Sequence, residues 1–306
     1  MNDTIISGVT ASVLDGGEVS AAVFAAAAEH TNSSVKARDE LKAGVVCASD
    51  SAKPAVEICD VSFSYGDRRV LNNLSLRLPC GLLTGIVGPN GCGKSTLLRL
   101  VDGVLTPQAG KVLVEGDDVH ELSAHERACR IALLPQIHRT PSMTVEALVS
   151  CGRYAHMGPF GSLGVHDREV VHEAMCVAHV DQLAHKPART LSGGERQRAF
   201  IAMVLAQQAH MVLLDEPTTY LDPRAALDVM RLVRSLVHEQ GMTGAVVIHD
   251  LPLALRFCDR LAVMDAGRIV AFGAPEDILA KDVLQRVFGV SIACANAAGE
   301  KIYTCY

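Results

Sequence analysis

The sequence contains no tryptophan and only 4% aromatic residues, and its 28 Lys and Arg residues are outnumbered by 34 Asp and Glu residues. Proteins that bind single strands stack the bases on aromatic side chains, and proteins that follow phosphate backbones carry excess positive charge. The net charge of -6 has the opposite sign. The composition therefore argues against nucleic acid as the main partner.

Long hydrophobic runs and paired cysteines are missing as well. The apolar run at 21–28 has eight residues, whereas a membrane-spanning helix needs about 20. The ten cysteines include no C-x-x-C pair and have no histidine nearby at zinc-finger spacing. We therefore expect reduced thiols in the core of a cytosolic protein.

The chain does contain enough apolar material to fold, since 49% of its 306 residues are hydrophobic. The composition changes near Pro54, because the preceding residues include eleven alanines and lack patterned hydrophobic positions. We predict a poorly ordered extension over 1–54, a folded domain over 55–290 and a C-terminal tail over 291–306.

The order of the predicted elements indicates an α/β fold. From residue 56 onward, apolar and polar residues alternate as in a small antiparallel sheet. Short apolar strands, which alternate with helical patterns and so imply a parallel sheet, are predicted at 82–87, 131–134, 211–214 and 245–248. Helical periodicity between the second and third of these strands predicts a helical insert at about 137–208.

A glycine-rich run lies between the first of these strands and a predicted helix. It matches the pattern G-x-x-x-x-G-K-[ST] and consists of Gly88, Pro89, Asn90, Gly91, Cys92, Gly93, Lys94, Ser95 and Thr96. Backbone N–H groups of such a loop point at phosphate oxygens, and the helix N-terminus and Lys94 add positive charge. The Ser95 hydroxyl is a candidate Mg²⁺ ligand. The run predicts a nucleotide phosphate site, with Cys92 as a space-filling residue, but kinases, GTPases and ATP motors all share this loop.

Two carboxylates follow the apolar strand at 211–214. In such a pair, the first carboxylate binds the metal ion and the second positions the attacking water. We therefore predict that Asp215 is a Mg²⁺ partner and that Glu216 is the general base for the attacking water.

The run from Leu191 to Arg198 resembles the signature sequence of the ATP-binding cassette (ABC) ATPases. Its serine lies at a predicted helix start, and its glycines allow close backbone approach to an anion. The resemblance implies a head-to-tail homodimer, in which ATP lies between the phosphate loop of one subunit and the signature of the other. The signature residues predicted to contact ATP are Ser192, Gly193, Gly194 and Glu195.

Four further residues resemble functional positions of this family. Tyr65 resembles the aromatic residue that stacks on adenine, and Asp222 resembles the aspartate that contacts the dimer partner. Gln136 resembles the glutamine that reaches Mg²⁺ and senses the membrane partner. His249 resembles the histidine that holds the γ-phosphate and the attacking water.

The resemblance covers about residues 56–290 and implies a P-loop NTPase (RecA-like) α/β core. It adds an N-terminal antiparallel β subdomain and an inserted α-helical subdomain. The implied activity is ATP hydrolysis coupled to transport, with ATP and Mg²⁺ bound. The implied location is peripheral, on the cytoplasmic face of the inner or plasma membrane. The implied partners are integral membrane permease subunits and, indirectly, a substrate-binding protein.

Among ABC ATPases, residues 144–156 and 201–222 are most similar to the ATPases of ferric-siderophore, haem and vitamin B12 importers. Ala155 and Pro252 depart from that subgroup, which usually has Pro and Asn there. Zinc and manganese importers are the nearest alternative. A soluble ABC ATPase that acts on nucleic acid is a more distant one, because no sustained heptads separate the loop from the signature.

Histidines outside these motifs carry weaker signals. His172 and His179 are predicted to share a helix face, but they lack the i, i+4 spacing of zinc sites, so we expect no direct metal site.

The resemblance also indicates a contact with the membrane subunit. Arg153, Tyr154 and His156 lie in the segment that faces the membrane subunit in the family.

Overall fold

The computed structural model describes residues 54–136, 140–157, 162–297 and 300–306, so the predicted extension lies, except for Pro54, outside the described residues. The strands are β1 (Val56–Tyr65), β2 (Arg68–Leu78), β3 (Leu83–Val87), β4 (Ala109–Val114), β5 (Asp117–Asp118), β6 (Ile131–Leu134), β7 (Met211–Asp215), β8 (Thr243–Val247), β9 (Arg260–Asp265), β10 (Arg268–Gly273), β11 (Ile292–Ala297) and β12 (Glu300–Cys305). The helices are α1 (Lys94–Val101), α2 (Ala124–Arg130), α3 (Val145–Ser150), α4 (Val165–Val177), α5 (Gly193–Ala206), α6 (Pro223–His238), α7 (Leu251–Phe257), α8 (Pro275–Ala280) and α9 (Val283–Phe288). Within the described ranges, no helix combines the length and apolar character that a bilayer span requires.

The first sheet is antiparallel and has the strand order β2-β1-β4-β5. Its apolar residues follow the two-residue period of a strand, so Ile58 pairs with Leu76 on the buried face. This arrangement confirms the antiparallel sheet predicted from the alternation that starts at residue 56.

The second sheet has the order β10-β9-β3-β8-β7-β6, and all neighbouring strands are parallel except β9 and β10. The strands of this sheet's centre, β3, β7 and β8, are buried along their whole length, as expected when both faces are covered. The parallel α/β fold predicted from the sequence is therefore confirmed.

Two hydrophobic cores lie on the two faces of this central sheet. Leu83 and Val87 of β3 belong to the core shared with α3–α7, whereas Ile86 belongs to the core shared with α1 and the antiparallel sheet. Because adjacent strand residues point to opposite faces, a five-residue apolar strand supplies both cores. The phosphate loop after Val87 is thereby anchored on both sides.

The segment between β6 and β7 is helical, as predicted, but two residues differ from expectation. His179 follows α4 rather than sharing its face, with a φ of 55°. Arg153 is 3% exposed, and its guanidinium contacts the Asp167 carboxylate at 2.9 Å and the Ala206 carbonyl at 2.8 Å. Arg153 therefore stabilises the segment internally, while its neighbour Tyr154 is exposed.

The segment predicted as a C-terminal tail contains the antiparallel hairpin β11-β12. Strand β12 packs against α7, and Tyr303 is buried there. Lys301 forms an ion pair with Glu276 of α8 at 2.7 Å. The hairpin was not apparent from the sequence because its strands are short and only weakly patterned.

The expectation that the cysteines are core thiols holds for only some of them. Cys92 and Cys258 are buried, whereas Cys176, Cys294 and Cys305 are exposed. Burial raises the pKa of the Cys258 thiol, so this side chain behaves as a small hydrophobic residue.

Asp102, at the C-terminal end of α1, should make the free energy of unfolding depend on pH. Burial raises the pKa of its carboxyl to about 6, although the nearby Arg127 charge opposes the shift. Because the folded state holds this proton more tightly than the unfolded state, stability is lost as the pH rises from 3.8 towards 6. We expect Asp102→Asn to raise the free energy of unfolding by about 1–2 kcal/mol at pH 8. Urea unfolding at pH 8 and below pH 4 measures the difference, which should vanish at the lower pH.

Glu121→Gln is the matched control, because it removes an exposed carboxylate. This variant should unfold like the parent at both pH values. An Asp102→Asn protein that is no more stable than the parent at pH 8 would show that the buried charge carries no cost.

Candidate nucleotide site

Two glycines of the predicted phosphate loop are required by their surroundings. A Cβ at Gly88 would lie 2.4 Å from the Met264 carbonyl oxygen, and a Cβ at Gly93 would lie 2.6 Å from Leu71. Gly93 also has a φ of 109°, which disfavours any L side chain. The loop therefore packs against β9 at Gly88 and against β2 at Gly93, and neither position has room for a side chain.

Lys94, the first residue of α1, is buried within the loop. Its ammonium donates to the carbonyl oxygens of Gly88 at 2.8 Å and Pro89 at 3.0 Å. Because an ammonium has three donors, one remains for an anion. The arrangement places a full positive charge at the N-terminus of α1, where the helix dipole has the same sign.

Ser95 and Asp215 meet at the carboxyl edge of the central sheet. The Ser95 hydroxyl donates to Asp215 Oδ1 at 3.0 Å. Burial raises the pKa of the Asp215 carboxyl, and the neighbouring Glu216 charge raises it further. A hydroxyl and a buried carboxylate are oxygen donors of the kind that Mg²⁺ prefers, so the residues present fit that ion.

Glu216 is contacted by two side chains from distant parts of the chain and by one from the turn that follows it. Its carboxylate accepts from the Thr219 hydroxyl at 3.0 Å and from the Gln136 amide, and it contacts Nε2 of His249. Glu216 has a φ of 55°, a conformation that costs about 1–3 kcal/mol for a residue with a side chain. The structure thus brings together all three residues predicted to be catalytic.

These groups line a cavity of about 610 Å³. Tyr65 lies at its rim as a 46% exposed residue, and the Phe63 ring contacts the Tyr65 ring edge-on at a centroid distance of 4.9 Å. Other residues that line the cavity are Asn90, Gly91, Gly93, Lys94, Ser95, Thr96, Gln136, Glu216 and His249. The volume lies within the range of about 300–1,000 Å³ that is typical of small-molecule sites.

Four further residues of the cavity were not predicted from the sequence, namely Arg68, Val70, Thr219 and Tyr220. Arg68 pairs with Tyr65 across the β1–β2 turn, and Thr219 donates its amide to the Glu216 carbonyl at 3.2 Å. In the sequence, Arg68 follows Tyr65 by three residues and Thr219 follows Glu216 by three residues. Neither spacing identifies a function until the turns are known.

The signature residues lie at the start of α5. Ser192 is its N-cap, and its hydroxyl and the Glu195 carboxylate form a reciprocal capping box. They line a separate cavity of about 230 Å³ together with Gly193, Gly194 and Asp222, which caps α6. Among the described residues, only Tyr220 lines both this cavity and the phosphate-loop cavity.

Comparison with known proteins agrees with this geometry. The family model described as ABC transporter matches residues 71–219. The chain is 43% identical over 231 residues to the ferric enterobactin transport ATP-binding protein FepC of Escherichia coli (strain K12), which covers 75% of this chain and 85% of FepC. It is 41% identical over 239 residues to the cobalamin import ATP-binding protein BtuD of Halobacterium salinarum, which covers 78% of this chain and 60% of BtuD.

A solved structure leads to the same class. The ATP-binding cassette MJ0796, solved as a dimer in a post-hydrolysis state with ADP and Pi, superposes with a TM-score of 0.63 at 26% identity. The match covers 72% of this chain and 98% of that one. The chain belongs to the ABC transporter family as an ATP-binding protein whose ATP hydrolysis is coupled to transport. Such subunits work with membrane permease components.

Substitution of Tyr65 tests whether its ring stacks on adenine. Loss of an aromatic stacking partner costs about 1–3 kcal/mol per base, so Tyr65→Ala should bind ATP about 10-fold or more weakly. Tyr65→Phe retains the ring and should bind as the parent does. Titration with a fluorescent ATP analogue measures both variants. If Tyr65→Ala weakens inorganic triphosphate as much as ATP, the ring does not act on the base.

Proposed function

We propose that this chain is the ATP-hydrolysing subunit of an ABC importer that takes up an iron complex, as a siderophore or haem, or cobalamin. The observation that carries the cargo class is the 43% identity to a ferric enterobactin transport ATP-binding protein over three quarters of the chain. The identity to a cobalamin import protein supports the wider group.

In the proposed hydrolysis, Tyr65 stacks on adenine, and the loop backbone with Lys94 holds the phosphates. Mg²⁺, held by Ser95, Asp215 and Gln136, would neutralise charge on the phosphate oxygens. Glu216 accepts the proton of the attacking water, and His249 orients that water and the γ-phosphate. The contacts of Glu216 with Gln136, Thr219 and His249 support this assignment because they hold its carboxylate at the cavity.

We further propose that two chains act as a head-to-tail homodimer. In one chain, the signature residues line a different cavity from the phosphate loop, so a second chain is needed to bring Ser192, Gly193, Gly194 and Glu195 to the same ATP. The N-terminus of the 14-residue helix α5 supplies donors for phosphate oxygens. Asp222 then contacts the partner chain.

The proposed setting is the cytoplasmic face of the inner or plasma membrane. Separate permease subunits form the pore, and a substrate-binding protein delivers the cargo to them. Tyr154, beside the buried Arg153, is a candidate contact for the permease, since the residue is 67% exposed. The predicted domain bounds of 55–290 and 137–208 remain part of this proposal.

Glu216→Gln tests the catalytic assignment. The amide keeps the shape of the side chain but cannot accept a proton, so kcat for ATP hydrolysis should fall by about 100-fold or more while ATP binding persists. The variant should also accumulate as an ATP-bound dimer in size-exclusion chromatography. Glu239→Gln, which alters an exposed carboxylate directly after α6, is the control and should hydrolyse ATP normally. Hydrolysis by Glu216→Gln at the parental rate would mean that Glu216 is not the base.

Reconstitution with copurifying permease subunits tests the cargo. In vesicles with ATP supplied to the ATPase side, we expect the substrate-loaded binding protein to stimulate hydrolysis several-fold with a ferric siderophore, haem or cobalamin. Uptake of the same compound into the vesicle system measures coupling. Stimulation by Zn²⁺ or Mn²⁺ alone would assign the chain to a metal-ion importer instead.

A further inference from the structure

A second large cavity, of about 720 Å³, lies at the amino edge of the central sheet. Leu82, directly before β3, and Arg260, the first residue of β9, both line it. Strand β3 has five residues, which span about 16 Å at 3.3 Å each. The cavity is therefore separated from the phosphate loop by the full length of this strand.

The lining of this cavity is strongly basic. Five cationic and two acidic side chains line it, in a chain whose net charge is -6, although Arg231 is paired with Asp228 of α6 at 3.0 Å. The cationic residues are Arg231, Arg234, Arg256, Arg260 and Lys301. Like charges gathered in one concave site repel each other and raise the local concentration of anions.

The two acidic residues of the lining already have partners. Asp259 Oδ2 accepts from the Leu83 amide at 2.8 Å and lies 3.2 Å from Nε2 of His238. Glu276 forms its ion pair with Lys301. Neither carboxylate forms an ion pair with Arg234 or Arg260.

Arg234 and Arg260 direct one N–H each to the backbone. Arg234 donates to the Arg256 carbonyl at 3.1 Å, and Arg260 donates to the Asp259 carbonyl at 3.0 Å. In the part of the chain that the structure describes, neither forms an ion pair with a carboxylate. Because a guanidinium has five donors, most of those in each fork remain for a ligand.

One side of the cavity is apolar. Leu255, Phe257 and Pro275 line it, and the buried Tyr303 of β12 closes it next to Lys301. The Arg256 guanidinium lies over the Phe257 ring at 5.3 Å from the centroid. A fitting ligand therefore combines an anionic group with an apolar or ring-shaped body, and the volume accommodates such a molecule.

We propose that this cavity binds a small organic phosphate. A phosphate monoester carries close to two negative charges and three acceptor oxygens on one group, so it can accept from both arginine forks at once. A carboxylate carries one charge and two oxygens, which fit one fork. The site is distinct from the nucleotide site and independent of the cargo.

Isothermal titration with phenyl phosphate tests the proposal, and benzoate serves as the carboxylate probe with the same ring. The full-length chain is used in a Lys94→Ala background, which weakens phosphate binding at the nucleotide loop. We expect phenyl phosphate to bind this protein at least 10-fold more tightly than benzoate. Adding Arg234→Gln and Arg260→Gln should weaken phenyl phosphate binding by 10-fold or more.

Arg77→Gln in the same background is the control, since this exposed arginine lies on the antiparallel sheet, and binding should not change. Should the double variant have a lower melting temperature, Arg234→Gln alone, at an exposed position of α6, should still weaken binding several-fold. Unchanged binding in either arginine variant, or loss of all binding with Lys94→Ala, would overturn the proposal. Equal binding of benzoate would overturn the preference for phosphate.

Discussion

The shared direction of the central strands is the constraint on which the nucleotide site depends. Strands β3, β6, β7 and β8 are parallel, so the segments that follow them emerge at one edge of the sheet. The phosphate loop, Gln136, the Asp215–Glu216 pair and His249 are far apart in sequence and meet only there. A strand of opposite direction at any of these positions would place its functional residue at the far edge.

At Glu216, this convergence of segments determines the orientation of a single side chain. Its backbone is in the left-handed region, which its own side chain disfavours. Contacts with Gln136 and His249 from two distant segments, and with Thr219 of the following turn, together compensate for that conformation. The carboxylate is only 9% exposed, so it reaches the cavity in one orientation. The same contacts link the site to Gln136, which lies two residues after β6.

Much of the fold was predictable because its signals are local. Glycines at 88 and 93, strand alternation from residue 56 and the helix start at Ser192 depend on conformations within a few residues. Predictions that depended on distant packing were less successful. The burial of Arg153 requires Asp167 and the end of α5, and the C-terminal hairpin requires α7, so neither could be recognised from nearby residues.

The sequence by itself determined which chemical groups are present and in what order: a phosphate loop, paired carboxylates, a second helix tip and a histidine after a strand. Periodicity also determined the parallel sheet, since backbone sterics act over short distances. Only the tertiary structure decided that Thr219 and Arg68 join the nucleotide cavity and that Arg234 and Arg260 share another. Burial and electrostatic fields sum over residues that are distant along the chain, so no local pattern encodes them.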